Sequence, residues 1–333
     1  MIELEVLRPL LINDSELASS VAKKYGLINV LKVIKKNRIR NYFLRLIRNL
    51  DETLNIISLD EQKKYVSKFQ QAQTLSKKLS ENNVNHIFFK GVVLSNYFYD
   101  FPSDRTYTDF DILIDKKNSK EFYKFLDEEG LHHKNNIHYI DRVGYTRTAL
   151  EVIKSKNNLV YDFHHRIVSK IRFRHCPLTK IALKGNTRLK GINIPQIENL
   201  LLLTLHHSYY QNNTNLTAQT VLDINQLLNE EIDKEKIEPY LKKLNLLDKF
   251  QNLLEIINRI KSFNNDRDLI LFAKRIFENE SKIKNLMFNG VWFRTQLCNL
   301  IDPEPYINYT SGNKNKNLTI ELLKTKLRRK KLR

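Results

Sequence analysis

The sequence predicts an α+β fold, in which a small mixed β-sheet with flanking helices lies between helical N-terminal and C-terminal segments. Two observations predict it. Residues 16–79 repeat apolar side chains at spacings of three and four, the period of helices that bury one face. Residues 84–164 instead hold short apolar or alternating runs between turn residues, which is typical of strands mixed with short helices.

The N-terminal segment, residues 1–80, reads as one helix after another, ending in an amphipathic helix at 61–79. A polar break at 80–83 follows it. The segment also carries a basic run, for which a solvated helix face is the main interpretation and phosphate contact the other. This run comprises Lys32, Lys35, Lys36, Arg38 and Arg40.

The central unit, residues 81–185, is predicted to hold the sheet. We expect a strand at 84–89, a helix at 91–99, a loop at 100–108 and a strand at 109–114. Ser119 can cap a helix that runs to 129, and Gly130 would end it. A hairpin then pairs strands at 145–153 and 159–164.

The C-terminal segment, residues 186–312, is predicted to be helical. Gly185 and Gly191 mark a linker-like loop or a short hairpin, and Pro195 takes the first position of a helix that continues to 210. Further helices are expected at 219–228, 238–244, 247–260 and 269–280. Residues 313–333 form a basic tail, either a frayed solvated end or a nucleic-acid arm.

Composition narrows the class of partner. Fifty-six Lys and Arg against 37 Asp and Glu give a formal charge of +19, which favours polyanions such as nucleotides, nucleic acid or an anionic surface.

The two cysteines, Cys176 and Cys298, are too far apart in sequence to suggest a disulfide framework or a zinc site. No apolar run is long enough for membrane insertion and no signal peptide is evident, so we expect a cytoplasmic protein.

A possible metal site begins at the predicted strand 109–114. Side chains alternate along a strand, so Asp109 and Asp111 share one face while Phe110 and Ile112 point into the protein. Two unpaired carboxylates so close together repel, and a divalent cation between them removes the repulsion. Asp162, on the predicted strand 159–164, adds a third carboxylate. Three strand-borne carboxylates suit two Mg²⁺ or Mn²⁺ ions, with Asp162 completing the second ion's shell or accepting a proton.

Three further residues belong to this predicted site. Lys90 and Gly91 form a strand-to-helix turn in which the glycine lets a phosphate approach the backbone and the lysine offers positive charge. Arg105 can contact a triphosphate, brace the carboxylates, or form an ion pair with Asp104 or Asp109. His164 shares the face of Asp162 by strict alternation, whereas His165 does not. His164 would orient an acceptor or a metal-bound water, or make a structural hydrogen bond.

These residues resemble a known family. The runs Phe88-Phe-Lys-Gly-Val-Val-Leu94, Arg105-Thr-Tyr-Thr-Asp-Phe-Asp-Ile-Leu113 and Val160-Tyr-Asp-Phe-His-His165 are similar to those of an uncharacterised bacterial nucleotidyltransferase family of the polymerase-beta-type superfamily. The Lys-Gly and Arg-plus-Asp-x-Asp elements are also similar to those of abortive-infection nucleotidyltransferase toxins. A looser match reaches His206, His207 and Asp223. We interpret these histidines as core residues rather than substrate ligands, and we expect Asp223 to bridge helices or cap a loop without a catalytic role.

The resemblance implies a nucleotidyltransferase-type sheet and a magnesium-dependent transfer of NMP from an NTP to an acceptor. Asp109 and Asp111 match the metal-binding pair, Asp162 the third carboxylate, and Lys90 and Gly91 the phosphate-binding turn. Val92 departs from the pattern, because the superfamily usually has a serine or a second glycine there. The acceptor is open among a small molecule, a protein and tRNA. A catalytically degenerate module that binds nucleic acid or a partner protein is the alternative, and a toxin acting on tRNA is a third hypothesis.

Overall fold

A computed structural model describes residues 2–133, 149–154, 159–167, 177–211 and 217–262. It confirms the α+β prediction, since a five-stranded mixed sheet and a two-stranded sheet are combined with helices on both sides in sequence. The predicted helix at 269–280, the basic tail and both cysteines lie outside the described residues. None of the described helices is both long and apolar enough to cross a membrane.

The N-terminal segment folds into five helices. These are α1 (Ile2–Leu11), α2 (Ser15–Tyr25), α3 (Leu27–Lys36), α4 (Arg40–Leu46) and α5 (Glu52–Glu81). Helix α5 starts nine residues before the predicted 61, where the Asp51 side chain accepts a hydrogen bond from the Thr53 N–H. Ile56 and Leu59 are exposed there, so this part of the helix lacks the buried apolar stripe by which it could be recognised. The predicted basic run, from Lys32 to Arg40, is exposed as expected.

The main sheet has the strand order β1-β2-β5-β4-β3. Its strands are β1 (His86–Phe89), β2 (Asp109–Ile114), β3 (His132–His133), β4 (Ala149–Lys154) and β5 (Leu159–His164). Strand β2 runs antiparallel to β1 and parallel to β5, and the predicted hairpin is confirmed by the antiparallel pairing of β4 with β5. Strand β3 was not predicted, because a two-residue strand shows no periodicity.

Within the part of the chain that the structure describes, two helices connect strands of the main sheet. Helix α6 (Gly91–Tyr97) follows β1, and helix α7 (Ser119–Glu128) follows β2. Gly130 has a φ of 59° just beyond α7, as predicted for a residue that ends a helix. The predicted cap at Ser119 is wrong, because Asn118 takes the cap position and the Ser119 hydroxyl donates to the Lys116 carbonyl at 2.6 Å.

The described residues from 177 to 262 form a short hairpin and five helices, the first of which precedes the predicted C-terminal segment. These elements are α8 (Leu178–Lys184), β6 (Asn186–Leu189), β7 (Ile192–Pro195), α9 (Ile197–His206), α10 (Ala218–Leu228), α11 (Lys234–Lys243) and α12 (Leu247–Ser262). The hairpin alternative at Gly191, whose φ is 86°, is therefore confirmed. Pro195 ends β7 instead of opening a helix, and α9 gives way at His207 to a π-helical turn. Helix α11 begins at Lys234, capped by Asp233, so Pro239 lies inside it rather than in its first turn.

One hydrophobic core runs through the described residues, from Val6 in α1 to Ile260 in α12. Within it, α1 contacts both α10 and α12, and β7 contacts β1 and α5. The N-terminal and C-terminal helices thus pack on each other as well as on the sheet. The loop between α6 and β2, which carries Arg105, packs in turn against α4 and α5 of the N-terminal segment.

Candidate active site

The site is built on the parallel pairing of β2 and β5. The register places Asp111 directly beside Asp162, and Asp109 beside Val160. Phe110 and Ile112 are buried, as the alternation predicts. Neighbouring positions on paired strands point to the same face, so carboxylates 51 residues apart in sequence come together.

Asp111 is the centre of the contacts at this face. Its Oδ1 accepts a hydrogen bond from the Lys90 ammonium at 2.6 Å, and the Nε2 of His164 lies 3.1 Å from the same oxygen. A carboxylate oxygen only accepts, so Nε2 carries the hydrogen in this contact. Burial opposes ionisation of Asp111, but Lys90 and then His164 outweigh it and hold its pKa well below the ordinary value. Asp111 is therefore ionised at neutral pH.

Lys90 reaches Asp111 from an unusual backbone conformation. Its φ and ψ are 57° and −123°, a region that residues with a side chain rarely adopt. The ammonium also lies 5.1 Å from the centre of the Phe89 ring. Such conformations cost roughly 1–3 kcal/mol and persist where the surrounding structure enforces them, often at functional sites. The strained turn is thus an independent reason to examine this face for function.

Gly91 is required by packing. A Cβ at Gly91 would lie 2.6 Å from the Cβ of Tyr107 and 3.1 Å from Nη1 of Arg105, closer than atoms can approach without a shift. The space that a side chain would need is therefore filled by the chain's own loop, and the phosphate-binding role of Gly91 stays a prediction. Val92 is fully buried in the core.

Arg105 pairs with a residue that was given no role in the site. Its Nε and Nη2 donate to Oδ1 and Oδ2 of Asp223, each at 2.9 Å. Its two predicted partners are not used: Asp104 binds Arg45 instead, and the ion pair of Arg105 among the described residues is with Asp223 rather than Asp109. Asp223 is the residue that sequence reasoning undervalued. The available signal was an acid within the apolar run Val221-Leu-Asp-Ile224.

Asp109 lies at the first residue of β2 and is half-buried. Burial, and then the charge of Asp111, raise the pKa of Asp109 above its ordinary value. The two carboxylates therefore differ. Asp111 is held ionised by Lys90 and by its hydrogen bond with His164, whereas Asp109 ionises less readily. This is the like-charge conflict that a cation would relieve.

A basic residue of α5 also faces this end of the sheet. Lys68 donates to the Tyr107 carbonyl at 3.1 Å and lies over the rings of Tyr65 and Tyr107, at 4.6 and 5.1 Å. Burial lowers the pKa of Lys68, and the charge of Asp109 counteracts this in part. Periodicity indicated only a helix here, so this residue was not singled out from the sequence.

Three of these side chains have the donor set of a metal site. One donor atom from each of Asp111, Asp162 and His164 lies within 4.8 Å of the others, an arrangement compatible with a divalent cation. Asp109 is not part of this group, so the role of Asp109 as a metal ligand stays a prediction. His164 joins the predicted carboxylates, with Nε2 3.9 Å from Oδ2 of Asp162, which confirms that it shares their face. Carboxylate oxygen with one imidazole nitrogen suits Mn²⁺ at least as well as Mg²⁺.

His165 and His206 are not part of this group. His165 faces the opposite side of the sheet, against the rings of Phe122 and Tyr123. Burial lowers the pKa of His165, which favours a neutral ring. His206 is fully buried at the end of α9, in agreement with its interpretation as a core residue.

The mixed sheet with acids on adjacent parallel strands is the arrangement expected of a nucleotidyltransferase, and the family comparison agrees. Residues 30–261, well over half of the chain, match the model of a family described as uncharacterised nucleotidyltransferase. The chain belongs to this family. No curated protein matches the chain. Its structure is similar to a crystal structure of an antigenic nucleotidyltransferase-like protein from Paracoccidioides brasiliensis, with a TM-score of 0.39 and 14% identity over 57% of this chain and 91% of that one. We infer nothing further from a similarity of this size.

Proposed function

We propose that this protein is a metal-dependent nucleotidyltransferase that moves NMP from an NTP to a hydroxyl or phosphate of an acceptor. The observation that carries the proposal is the group formed by Asp111, Asp162 and His164 beside Lys90. It combines metal-ligating atoms with a cation suited to phosphate on one buried face. Family membership supports nucleotide chemistry rather than a structural cation site.

Asp109, Asp111 and Asp162 would hold Mg²⁺ or Mn²⁺, with His164 as a ligand or as a donor that orients Asp111. Two such ions, when bound, would neutralise the charge on the α-phosphate and favour loss of the attacking hydroxyl's proton. Surplus negative charge at the site supports this. Lys90 and Lys68 face three carboxylates, and burial, together with the charge of Asp111, already raises the pKa of Asp109.

The residues of the chain then have distinct tasks. Lys90 and Arg105 bind the triphosphate and orient it for in-line attack. The acceptor oxygen forms a bond to the α-phosphorus as the bond to the bridging oxygen of the β-phosphate breaks, and pyrophosphate leaves with those electrons. Asp162 takes the proton of the attacking hydroxyl. With no serine or second glycine at Val92, more of the phosphate binding falls to the two basic residues.

The experiment is pyrophosphate release from each of the four NTPs with Mg²⁺ or Mn²⁺. We expect metal-dependent release that falls by on the order of 10²–10³-fold in Asp111→Asn and Asp162→Asn. Asp127→Asn removes an exposed carboxylate from α7 and is the matched control, for which we expect wild-type rates. Release of equal size in Asp111→Asn and the wild type would refute the assignment of the site.

A second candidate function is a degenerate nucleotidyltransferase-fold module that binds nucleic acid or a partner protein. It is favoured by exposed Lys32, Lys35, Arg38 and Arg40, which have no carboxylate partner among the described residues. Arg38 also touches the site loop, since its carbonyl accepts from the Thr106 hydroxyl at 2.9 Å. The same surface would serve an RNA acceptor, such as tRNA, of the enzyme.

Salt dependence separates the two candidates. A module of this kind would bind RNA with an affinity that falls steeply with salt, keep that affinity in Asp109→Asn and Asp111→Asn, and turn over no NTP. The enzyme would release pyrophosphate, and RNA would accelerate the release if it were the acceptor. A cytoplasmic location stays a prediction in either case.

A further inference from the structure

We propose that Asp223 is a positioning residue, which holds the guanidinium of Arg105 so that Nη1 faces the Lys90-Gly91 turn. The inference rests on the proposed function, because it assigns Arg105 to the triphosphate. It also makes helix α10, in the C-terminal segment, a working part of a site whose metal-ligating side chains all come from the sheet.

The contact between the two residues fixes the orientation of Arg105. Nε and Nη2 donate to separate oxygens of Asp223 at 2.9 Å, so the planar guanidinium is held along one whole edge. Arg105 is 12% exposed and Asp223 5%, which leaves little room for another rotamer. A single lysine contact would fix a charge but no plane.

Asp223 is itself held in place. Its Oδ1 also accepts from the Tyr99 hydroxyl at 2.9 Å and from Nε2 of Gln219 at 3.2 Å. The same Gln219 nitrogen lies 3.1 Å from the Tyr99 oxygen, which closes a small buried network. Three donors on one oxygen and one on the other satisfy an ionised carboxylate, so Asp223 needs no further partner and cannot turn without losing several bonds.

The nitrogen left over points at the proposed phosphate turn. Nη1 lies 3.1 Å from where a Cβ of Gly91 would be, while its contact with the Thr106 carbonyl is long, at 3.5 Å. Burial would lower the pKa of Arg105, but Asp223 raises it, and Asp111 adds to this effect. Arg105 therefore stays charged while facing the field of the site carboxylate. Its charge is balanced by Asp223, so its contribution is an oriented donor rather than net attraction.

The test compares Asp223→Asn with Glu5→Gln, a control chosen for its similar environment. Glu5 is also buried, and accepts from Lys24 at 2.8 Å and the Tyr25 hydroxyl at 2.6 Å, but it lies in α1. Both substitutions should lower the melting temperature. We expect only Asp223→Asn to raise the KM for NTP, by about tenfold, and to weaken binding of a fluorescent NTP analogue with Mn²⁺ by a similar factor.

A second pair of variants separates positioning from folding. In an Arg105→Lys background, Asp223→Asn should add little to the KM, because the oriented nitrogen is already lost. Asp223→Glu keeps the charge but moves the carboxylate. Compared with Asp223→Asn, it should restore the melting temperature toward the wild-type value more fully than it restores the KM. Equal KM values for Asp223→Asn, Glu5→Gln and the wild type, measured where all are folded, would overturn the positioning role. Failure of the wild type to bind or turn over any NTP would instead overturn the proposed function, and this inference with it.

Discussion

The Arg45–Asp104 and Lys90–Asp111 pairs are both largely buried but are surrounded very differently. Nε of Arg45 lies 2.9 and 2.8 Å from the two oxygens of Asp104, and its guanidinium sits between the rings of Tyr42 and Phe101, at 4.9 and 4.7 Å. Lys90 meets one oxygen of Asp111 and shares it with His164, with Asp162 close by. The first pair is enclosed by aromatic rings, whereas the second has surplus acids as neighbours.

We interpret the Arg45–Asp104 pair as one that holds the fold, and we propose that the Lys90–Asp111 pair exchanges its cation for a metal ion. Burial raises the pKa of Asp104 to about 7 although Arg45 lowers it, so without Arg45 this carboxylate would take up a proton or remain as an uncompensated buried charge. Asp111 lies beside Asp162 and His164, whose donor atoms are compatible with a divalent cation, and in the proposed function such an ion would replace the ammonium. Both pairs are largely buried and both join a cation to a carboxylate, so these properties do not distinguish them. They differ in the number of carboxylates around the cation, which is larger at Lys90.

The largest effect should come from Arg45→Met. Asp104 is 1% exposed, and burial raises its pKa to about 7 although Arg45 lowers it, so the comparison is made at about pH 9, where the carboxylate is ionised in the wild type. Left without its partner there, the carboxylate should lower the free energy of unfolding by about 3–5 kcal/mol. Asp111→Asn should cost less than half as much, because Lys90 retains Asp109 and Asp162 as nearby anions. Urea denaturation of both variants gives the comparison. Arg45→Met/Asp104→Leu should regain much of the loss, and a larger loss in Asp111→Asn would contradict the distinction.

The sequence predicts the half of the site that depends on local spacing. Alternation places Asp109 and Asp111 on one face of β2 and His164 with Asp162 on β5, because a strand repeats every two residues whatever surrounds it. The hairpin of β4 and β5 can be predicted from the sequence for the same reason.

What the sequence does not predict depends on contacts between distant elements. The partner of Arg105 lies 118 residues away, on a helix whose own period indicates only burial. Nor does any local pattern show that Gly91 is also needed for the close approach of Tyr107. The sequence indicates only a phosphate-binding turn at Lys90-Gly91, and that role stays a prediction. Spacing specifies which face a side chain takes, and packing decides what meets it there.

An intermediate effect on the free energy of unfolding should appear at alkaline pH, from Tyr42 beside the Arg45–Asp104 pair. Burial, and then the charge of Asp104, raise the pKa of Tyr42 to about 12. A folded-state pKa above the unfolded value near 10 means that this contribution is complete below pH 10 and is lost as the pH rises to about 12. It amounts to roughly 2–3 kcal/mol. We expect unfolding free energies to decline over this range and Tyr42→Phe to flatten the decline, whereas an unchanged slope would show that Tyr42 ionises normally.

The smallest effect should come from Lys90→Met, which tests the Lys90–Asp111 pair directly through the binding of Mn²⁺. If the ammonium occupies the place of a cation, its removal should tighten binding of Mn²⁺ alone by roughly tenfold, as expected when a like charge leaves. Titration calorimetry without nucleotide measures this, and Lys78→Met is the control, because Lys78 pairs with Glu129 elsewhere on the surface. NTP turnover should fall in the same Lys90 variant, since the phosphates lose a ligand. Weaker Mn²⁺ binding would mean that Lys90 supports the metal site rather than competing for it, and the two buried pairs would then differ less than their surroundings suggest.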